Sequence, residues 1–218
     1  MASPTRASSA RAPSLSAPQW IPLRTILVLL LLTGLLYPLA ITALAWLLFR
    51  DEARGSVIVR DGLAIGSRLV GQEFRDPGRF WSRPSATGPI PYVAFDRAGP
   101  SGSSGSNLAP SSTALAGAVA ARIAALRAAD LALGLDDSAP IPVDLVTASA
   151  SGLDPHLSVA GVRRQIARVA AARGIPIERL VALVEQHVER AWLGVLGEPV
   201  VNVLLLNLDL DSLPGQGR

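Results

Sequence analysis

The polar groups that could do chemistry are concentrated in residues 149–156, Ser-Ala-Ser-Gly-Leu-Asp-Pro-His. Hydroxyl and carboxylate groups bind phosphate or a partner's backbone, or they hold a turn together through local hydrogen bonds. Asp154-Pro155 is typical of a turn, and Ser158 is a candidate helix cap just beyond it, so we interpret His156 as a turn residue. The candidate nucleotide- or partner-binding residues of this segment are Ser149, Ser151, Gly152 and Asp154.

Further candidate binding residues lie on the helix predicted to follow. Arg164 and Arg168 are four residues apart and therefore share one face of that helix. Arginine can hold phosphate bidentately, which makes this pair the best-placed phosphate ligands in a chain without lysine. Gln165 lies at the edge of the apolar stripe of the helix, where it either faces a partner or binds a neighbouring loop.

Composition excludes several kinds of active site. The chain contains no cysteine and no lysine, which excludes a thiol nucleophile, a zinc–cysteine cluster and a Gly-x-x-x-x-Gly-Lys phosphate loop. The two histidines match no ligand spacing, and His187 is predicted to be structural. Asp136, Asp137, Asp209 and Asp211 resemble solvated turn or edge carboxylates. We therefore expect no independent catalysis, no metal and no intrinsic cofactor.

One apolar run, residues 26–49, contains no charged side chain. At about 1.5 Å per helical residue it crosses the roughly 30 Å hydrocarbon layer of a bilayer. We predict a transmembrane helix over residues 25–49. A cleaved leader is the alternative, since Ala43-Leu44-Ala45 resembles a cleavage site, but the apolar run is longer than the core of a leader and continues past that site.

Gly34 and Pro38 interrupt this apolar run. A small residue lets another helix approach closely, and proline leaves one backbone carbonyl without its usual donor. Both features predict that the helix packs on partner helices in lipid. A lone anchor that tolerates one proline is the alternative.

Charge predicts the orientation of the chain. Arg6, Arg11 and Arg24 precede the helix without any acidic residue, so the whole formal charge of +3 lies there. Cationic flanks stay cytoplasmic, which predicts a cytoplasmic N-terminus and an extracytoplasmic C-terminal domain. The remaining arginines balance the acidic residues and form no run, so nucleic acid is not an expected partner.

The chain divides into a disordered cytoplasmic tail (residues 1–24), a transmembrane helix (25–49) and one domain (50–218) that is long enough to bury a core. Within the domain, residues 96–112 form a long Gly/Ser loop, which is functional or disordered. The predicted helices are 113–131, 159–174 and 176–188, with Val188 buried, and the predicted strands are 57–60, 143–147 and 200–210. This mixed order predicts an α+β fold.

Several strings resemble one family, the C subunit of the Kdp potassium-transporting ATPase. They are Leu-Thr-Gly-Leu-Leu-Tyr-Pro at 32–38, Ile-Gly-Ser-Arg-Leu-Val-Gly-Gln-Glu-Phe at 65–74, Phe-Trp-Ser-Arg-Pro-Ser-Ala at 80–86, Gly-Ser-Asn-Leu at 105–108, Val-Thr-Ala-Ser-Ala-Ser-Gly-Leu-Asp-Pro-His at 146–156, Gln-Ile-Ala-Arg-Val-Ala at 165–170 and Gly-Glu-Pro-Val-Val-Asn-Val at 197–203. The resemblance covers roughly residues 25–210.

The resemblance implies a non-catalytic subunit of a high-affinity potassium pump in the inner membrane. Its partners would be a potassium-channel-like subunit, a P-type ATPase subunit and a small helical subunit. The family also implies a catalytic chaperone that raises the ATP affinity of the ATPase subunit, and it makes Gln165 and Arg168 candidate binding residues. The second hypothesis is a stand-alone, membrane-anchored domain that binds an extracytoplasmic ligand.

Overall fold

The residues that the computed structural model describes are 20–88, 90–93, 102–136 and 138–213. Contacts within the chain divide it between Ala53 and Arg54 into two units. The predicted α+β class is confirmed, because one apolar N-terminal helix is followed by a domain of helices and small sheets. The predicted tail up to residue 19, and residues 96–101 of the predicted loop, lie outside the described residues.

The first unit is a nearly continuous apolar helix. Its elements are α1 (Trp20–Leu31), a π-helical turn (Leu32–Leu36), α2 (Tyr37–Leu48) and the short α3 (Arg50–Ala53). The stretch Trp20–Leu48 is long and apolar enough to cross a membrane. The helix thus begins at Trp20, earlier than predicted, and every side chain from Trp20 to Ala43 is exposed within the isolated chain.

The π-helical turn ends two residues before Pro38, which has no backbone N–H to donate. At its end, the N–H of Tyr37 donates to the carbonyl of Leu32, five residues back instead of four. Thr33 Oγ1 donates to the carbonyl of Leu29 at 2.7 Å. The wider turn is how this helix continues past a proline without ending.

The second unit combines short strands with helices. Its elements in chain order are β1 (Val57–Arg60), β2 (Leu63–Ser67), α4 (Thr113–Leu131), a 3₁₀ turn (Val143–Leu145), β3 (His156–Ser158), α5 (Val159–Arg163), α6 (Ile166–Arg173), α7 (Ile177–Gln186), β4 (Val188–Glu189), β5 (Val200–Asn202) and α8 (Val203–Ser212). Strands β1 and β2 form an antiparallel hairpin, and β5 lies between β3 and β4 in an antiparallel sheet.

The predicted helices are present with one division and one correction. Helix α4 has the predicted bounds. The helix predicted after Ser158 is divided into α5 and α6, and Ser158 Oγ caps α5 by accepting from the N–H of Gly161 at 2.9 Å. Val188 was predicted on the buried face of α7, but it lies in β4 because the helix has already ended at Gln186.

Two of the predicted strands are wrong. Residues 143–147 contain the 3₁₀ turn, since prolines at 140 and 142 disfavour a regular strand before it. Only Val200–Asn202 of the predicted strand 200–210 is extended, and the rest is α8. The strand ends and the helix begins at Asn202, because Asn202 Oδ1 accepts from the N–H of Leu205 at 3.2 Å and caps α8.

The core of the domain lies between the three-stranded sheet and helices α5 to α8. Val162, Val169, Val184, Val201 and Leu206 are fully buried there. The residues that follow β2, from 72 to 85, run as an extended segment across α6 and α8 without regular secondary structure. This segment connects the candidate binding residues described next.

Candidate functional site

The predicted binding segment forms a tight turn whose side chains bind its own backbone. Ser149 Oγ accepts from the N–H of Gly152 at 2.8 Å. Ser151 Oγ and Asp154 Oδ1 each accept from the N–H two residues later, at 3.1 and 3.0 Å. These are the local serine and aspartate turns that compete with other backbone structure. We call residues 149–156 the serine turn.

Two neighbouring segments enclose the serine turn. Ser85 Oγ donates to the carbonyl of Gly152 at 2.7 Å, and the N–H of Ser104 donates to the carbonyl of Ser151 at 2.9 Å. Gly152 has φ of +69°, and a Cβ there would lie 2.6 Å from both the Ser104 carbonyl oxygen and Thr87 Cγ2. Glycine is therefore required at this position by conformation and by space.

Asp154 is the electrostatic centre of the serine turn. Its Oδ2 lies 2.9 Å from Nη1 of Arg83. Burial alone would raise the pKa of Asp154, but hydrogen bonds from His156 and the ion pair with Arg83 outweigh it and lower the pKa to about 2. The hydrogen bond to Asp154 raises the pKa of His156. Burial, followed by the charge of Asp154, raises the pKa of the Tyr92 phenol.

Gln165 is not on the surface of the domain. Its side chain is 1% exposed. Oε1 accepts from the N–H of Trp81 at 2.7 Å, and Nε2 donates to the carbonyls of Trp81 and Gly161 at 3.2 Å each. The sequence left two interpretations of Gln165 open, and the structure supports the one in which Gln165 binds a neighbouring segment.

Arg168 is also buried, at 1% exposed. Its Nη1 donates to the carbonyls of Pro77 and Arg79 at 2.6 and 3.1 Å, and its Nη2 donates to Gln165 Oε1 at 2.6 Å. The guanidinium lies 4.5 Å from the ring centroid of Trp81. Burial lowers the pKa of Arg168 to about 10. Arg168 thus fixes the extended segment onto α6.

Arg164 and Arg168 share one buried carboxylate instead of presenting two free guanidinium groups. Asp130 of α4 lies 2.8 Å from Arg164 Nη2 and 3.9 Å from Arg168 Nε. Asp130 itself is only 3% exposed. We call Trp81, Asp130, Gln165 and Arg168 the arginine cluster. The structure brings Ser149, Ser151, Gly152 and Asp154 together but places Gln165 and Arg168 apart from them, in this cluster.

A cleft of about 560 Å³, which the sequence did not predict, lies between the extended segment and α4. Phe74, Trp81, Tyr92 and Leu126 line it together with Arg83 and Arg122. The two arginines converge, because Arg83 Nε donates to the carbonyl of Thr147 at 3.4 Å and Arg122 Nη1 donates to that of Val146 at 2.8 Å. The sequence signal that could have indicated this cleft is the family-like motif at 80–86, which contains Arg83.

His187, Asp209 and Asp211 make structural contacts, and Asp137 lies outside the described residues. His187 Nε2 lies 2.9 Å from Asp209 Oδ2, and His187 Nδ1 lies 2.9 Å from the carbonyl oxygen of Leu183. Asp211 pairs with Arg79 and Arg173. Within the described parts of the chain, no group of three or more His, Asp or Glu side chains could hold a metal ion.

Gly34 and Pro38 both lie in the apolar helix, at and just after the π-helical turn. A Cβ added to Gly34 would meet nothing within 4 Å. The glycine is therefore not needed for packing within this chain, and the space beside it is open to another helix.

Comparison with known proteins gives one consistent result. A family model described as "K+-transporting ATPase, c chain" matches residues 20–212. The chain is similar to a potassium-transporting ATPase KdpC subunit of Polaromonas naphthalenivorans, with 58% identity over 85% of this chain and 90% of that protein. The KdpC subunit of Sorangium cellulosum is 54% identical over 87% of this chain and 97% of its own length. The KdpC subunit of Ralstonia nicotianae is 50% identical over 98% and 100%.

Proposed function

Because the chain belongs to the family of C subunits of the potassium-transporting ATPase, we propose that it is a non-catalytic, single-pass subunit required to assemble an ATP-driven potassium pump. The proposed partners are a potassium-channel-like subunit, a P-type ATPase subunit and a small helical subunit. The observation that supports assembly is the apolar helix Trp20–Leu48, whose side chains are almost all exposed within the chain and need lipid or other helices around them.

The π-helical turn and Gly34 are the proposed contact with partner helices. The carbonyl that Pro38 leaves without its usual donor and the open space beside Gly34 both favour a close neighbour in lipid. Gly34→Leu should lower the recovery of partner subunits when the tagged full chain is purified in mild detergent. Leu39→Ala, on an exposed position nearby, is the matched control. Equal recovery from both variants would show that the C-terminal domain alone drives assembly.

We propose that the C-terminal domain is extracytoplasmic, from the three arginines before the helix. Protease added to spheroplasts should then digest residues 50–218 of an uncleaved chain. Digestion only in inside-out vesicles would reverse this orientation.

We propose that any effect of this subunit on the ATP affinity of its ATPase partner is indirect. Arg164 and Arg168, the arginine pair that the sequence offered for phosphate, already contact Asp130, and Arg168 is buried. Calorimetric titration of the full chain in detergent with ATP should show weak binding without hydrolysis. A low-micromolar dissociation constant that is lost in Arg164→Ala would establish direct binding.

The alternative function, a stand-alone binding domain, is favoured by one observation: the cleft that contains Arg83 and Arg122. A stand-alone domain would purify from mild detergent without multi-span partners. Co-purification of those partners would instead favour the pump subunit.

A further inference from the structure

Residues 191–197, Ala-Trp-Leu-Gly-Val-Leu-Gly, connect β4 to β5 and contain no charged or hydrogen-bonding side chain except the indole of Trp192. We call this segment the apolar hairpin. Its four large side chains are unusually exposed: Trp192 by 67%, Leu193 by 75%, Val195 by 80% and Leu196 by 56%. Contiguous exposed apolar side chains mark a contact with protein or membrane.

The backbone of the apolar hairpin is closed on itself. Trp192 and Leu196 exchange N–H···O hydrogen bonds at 2.8 and 3.0 Å. The N–H groups of Gly194 and Val195 donate to the carbonyls of Ala191 and Trp192 at 3.0 and 3.2 Å. Lipid offers no hydrogen-bond partner, so a segment that enters it must satisfy its own backbone, as this one largely does. Docking by strand addition would instead use free edge groups.

Leu193, at the tip of the hairpin, has a backbone conformation that is unfavourable for leucine. Leu193 and Gly194 have φ of +53° and +76°, as in the two-residue turns that favour Asn-Gly. The left-handed region is strained for leucine. An asparagine would adopt it at a lower conformational free energy, and would suit a tip that only faced water. Leu193 is 75% exposed, so contacts within the described domain offset little of this strain.

We propose that the apolar hairpin is a second membrane contact, which inserts Trp192, Leu193 and Val195 into the interface of the bilayer that the N-terminal helix crosses. Tryptophan beside aliphatic residues suits that interface. Residues 49–56 are the whole link between α2 and β1, so only eight residues separate the domain from the membrane-spanning helix along the chain. The proposal rests on the uncleaved anchor of the proposed function, and it holds for either orientation.

The absence of cysteine from the chain makes a direct test possible. Leu193→Cys and Val195→Cys would be spin-labelled in the full chain, which is reconstituted without partners into phosphatidylethanolamine–phosphatidylglycerol nanodiscs. Accessibility to oxygen, which concentrates in lipid, and to a water-soluble nickel chelate would then be measured. A label at Leu35→Cys in the apolar helix gives the lipid reference, and a label at exposed Arg179→Cys gives the water reference.

We expect the hairpin labels to have an oxygen-to-nickel accessibility ratio severalfold above that of Arg179→Cys and to approach that of Leu35→Cys. Hairpin labels that match Arg179→Cys would overturn the proposal. Labels that are water-exposed alone, and become shielded from both reagents only with partner subunits, would also overturn it and assign the hairpin to a protein interface. A water-exposed label at Leu35→Cys would contradict the anchor itself, separately from the hairpin.

Discussion

The serine turn and the arginine cluster carry similarly dense family motifs, but they contribute to the domain in opposite ways. In the serine turn, hydroxyl and carboxylate groups bind N–H groups two or three residues away. In the arginine cluster, Gln165 and Arg168 bind backbone groups of residues 77–81, more than eighty positions earlier in the chain. One motif shapes its own loop, whereas the other holds two distant segments together.

This difference indicates where a functional surface remains available. Asp130, Gln165 and Arg168 of the cluster are buried and Trp81 is partly buried, so a substitution there acts first on folding. The serine turn lies at the surface of the domain with Ser151 exposed, and Asp154 is about one-quarter exposed. A partner can therefore reach the serine turn without unfolding the domain.

The largest effect is expected for Arg168→Met. This change leaves Asp130 buried with one cation fewer and leaves two backbone carbonyls without a donor, so it should lower the free energy of unfolding by about 3–5 kcal/mol. Arg173 lies on the same helix with its side chain 30% exposed, so Arg173→Met should lower the free energy of unfolding by about 1 kcal/mol or less. Denaturant unfolding of the full chain in detergent measures both, and equal losses would contradict the role of burial.

Gly152→Ala should have the next largest effect. The left-handed backbone costs about 1–2 kcal/mol for alanine, and the overlap with Ser104 and Thr87 adds about 1–3 kcal/mol. Gly174→Ala is the matched control, because Gly174 has φ of +64° but nothing within 4 Å of its added Cβ. Thermal melts should show the larger decrease for Gly152→Ala. Equal decreases would mean that the neighbouring loops yield easily.

Ser151→Ala should cost about 1 kcal/mol or less, since it removes one exposed hydrogen bond. We nevertheless expect Ser151→Ala and Asp154→Ala to reduce the potassium-stimulated ATPase activity of the assembled pump, because both residues are candidate partner-binding residues that a partner can reach. Ser138→Ala, in an exposed turn elsewhere, serves as the control. If the serine-turn variants lose stability but keep full specific activity, the turn is structural only.

The smallest effect is a pH dependence. The raised pKa of His156 means that its contribution is complete below its ordinary value of 6.5 and is lost as the pH rises through the raised value. The lowered pKa of Asp154 means that its contribution is present above 3.8 and is lost as the pH falls towards about 2. The difference in melting temperature between the parent chain and His156→Gln should therefore be largest between about pH 4 and 6.5 and decrease above it. A difference that is constant with pH would contradict the charged interaction between His156 and Asp154.

The sequence predicted the elements whose signals are local. The apolar helix, α4 and the Ser158 cap follow from length, periodicity and side-chain type, and the α+β class followed from their order. The strand predicted at 200–210 was wrong beyond Asn202, because the short apolar run at 203–206 has no periodicity that separates a strand from a buried helix. The arginine cluster and the Arg83–Asp154 pair could not be predicted, because they join positions far apart in the chain.

The π-helical turn changes the direction in which the second half of the apolar helix presents its side chains, relative to the first half. A turn closed over five residues contains one residue more than a regular α-turn, so every side chain after Leu36 is displaced by one position in the 3.6-residue repeat. A neighbour that follows one stripe of α1 therefore meets a different spacing along α2. Deletion of one leucine between 32 and 36 would restore a uniform phase, and it would rotate Trp46 relative to Trp20 without changing the composition of either half.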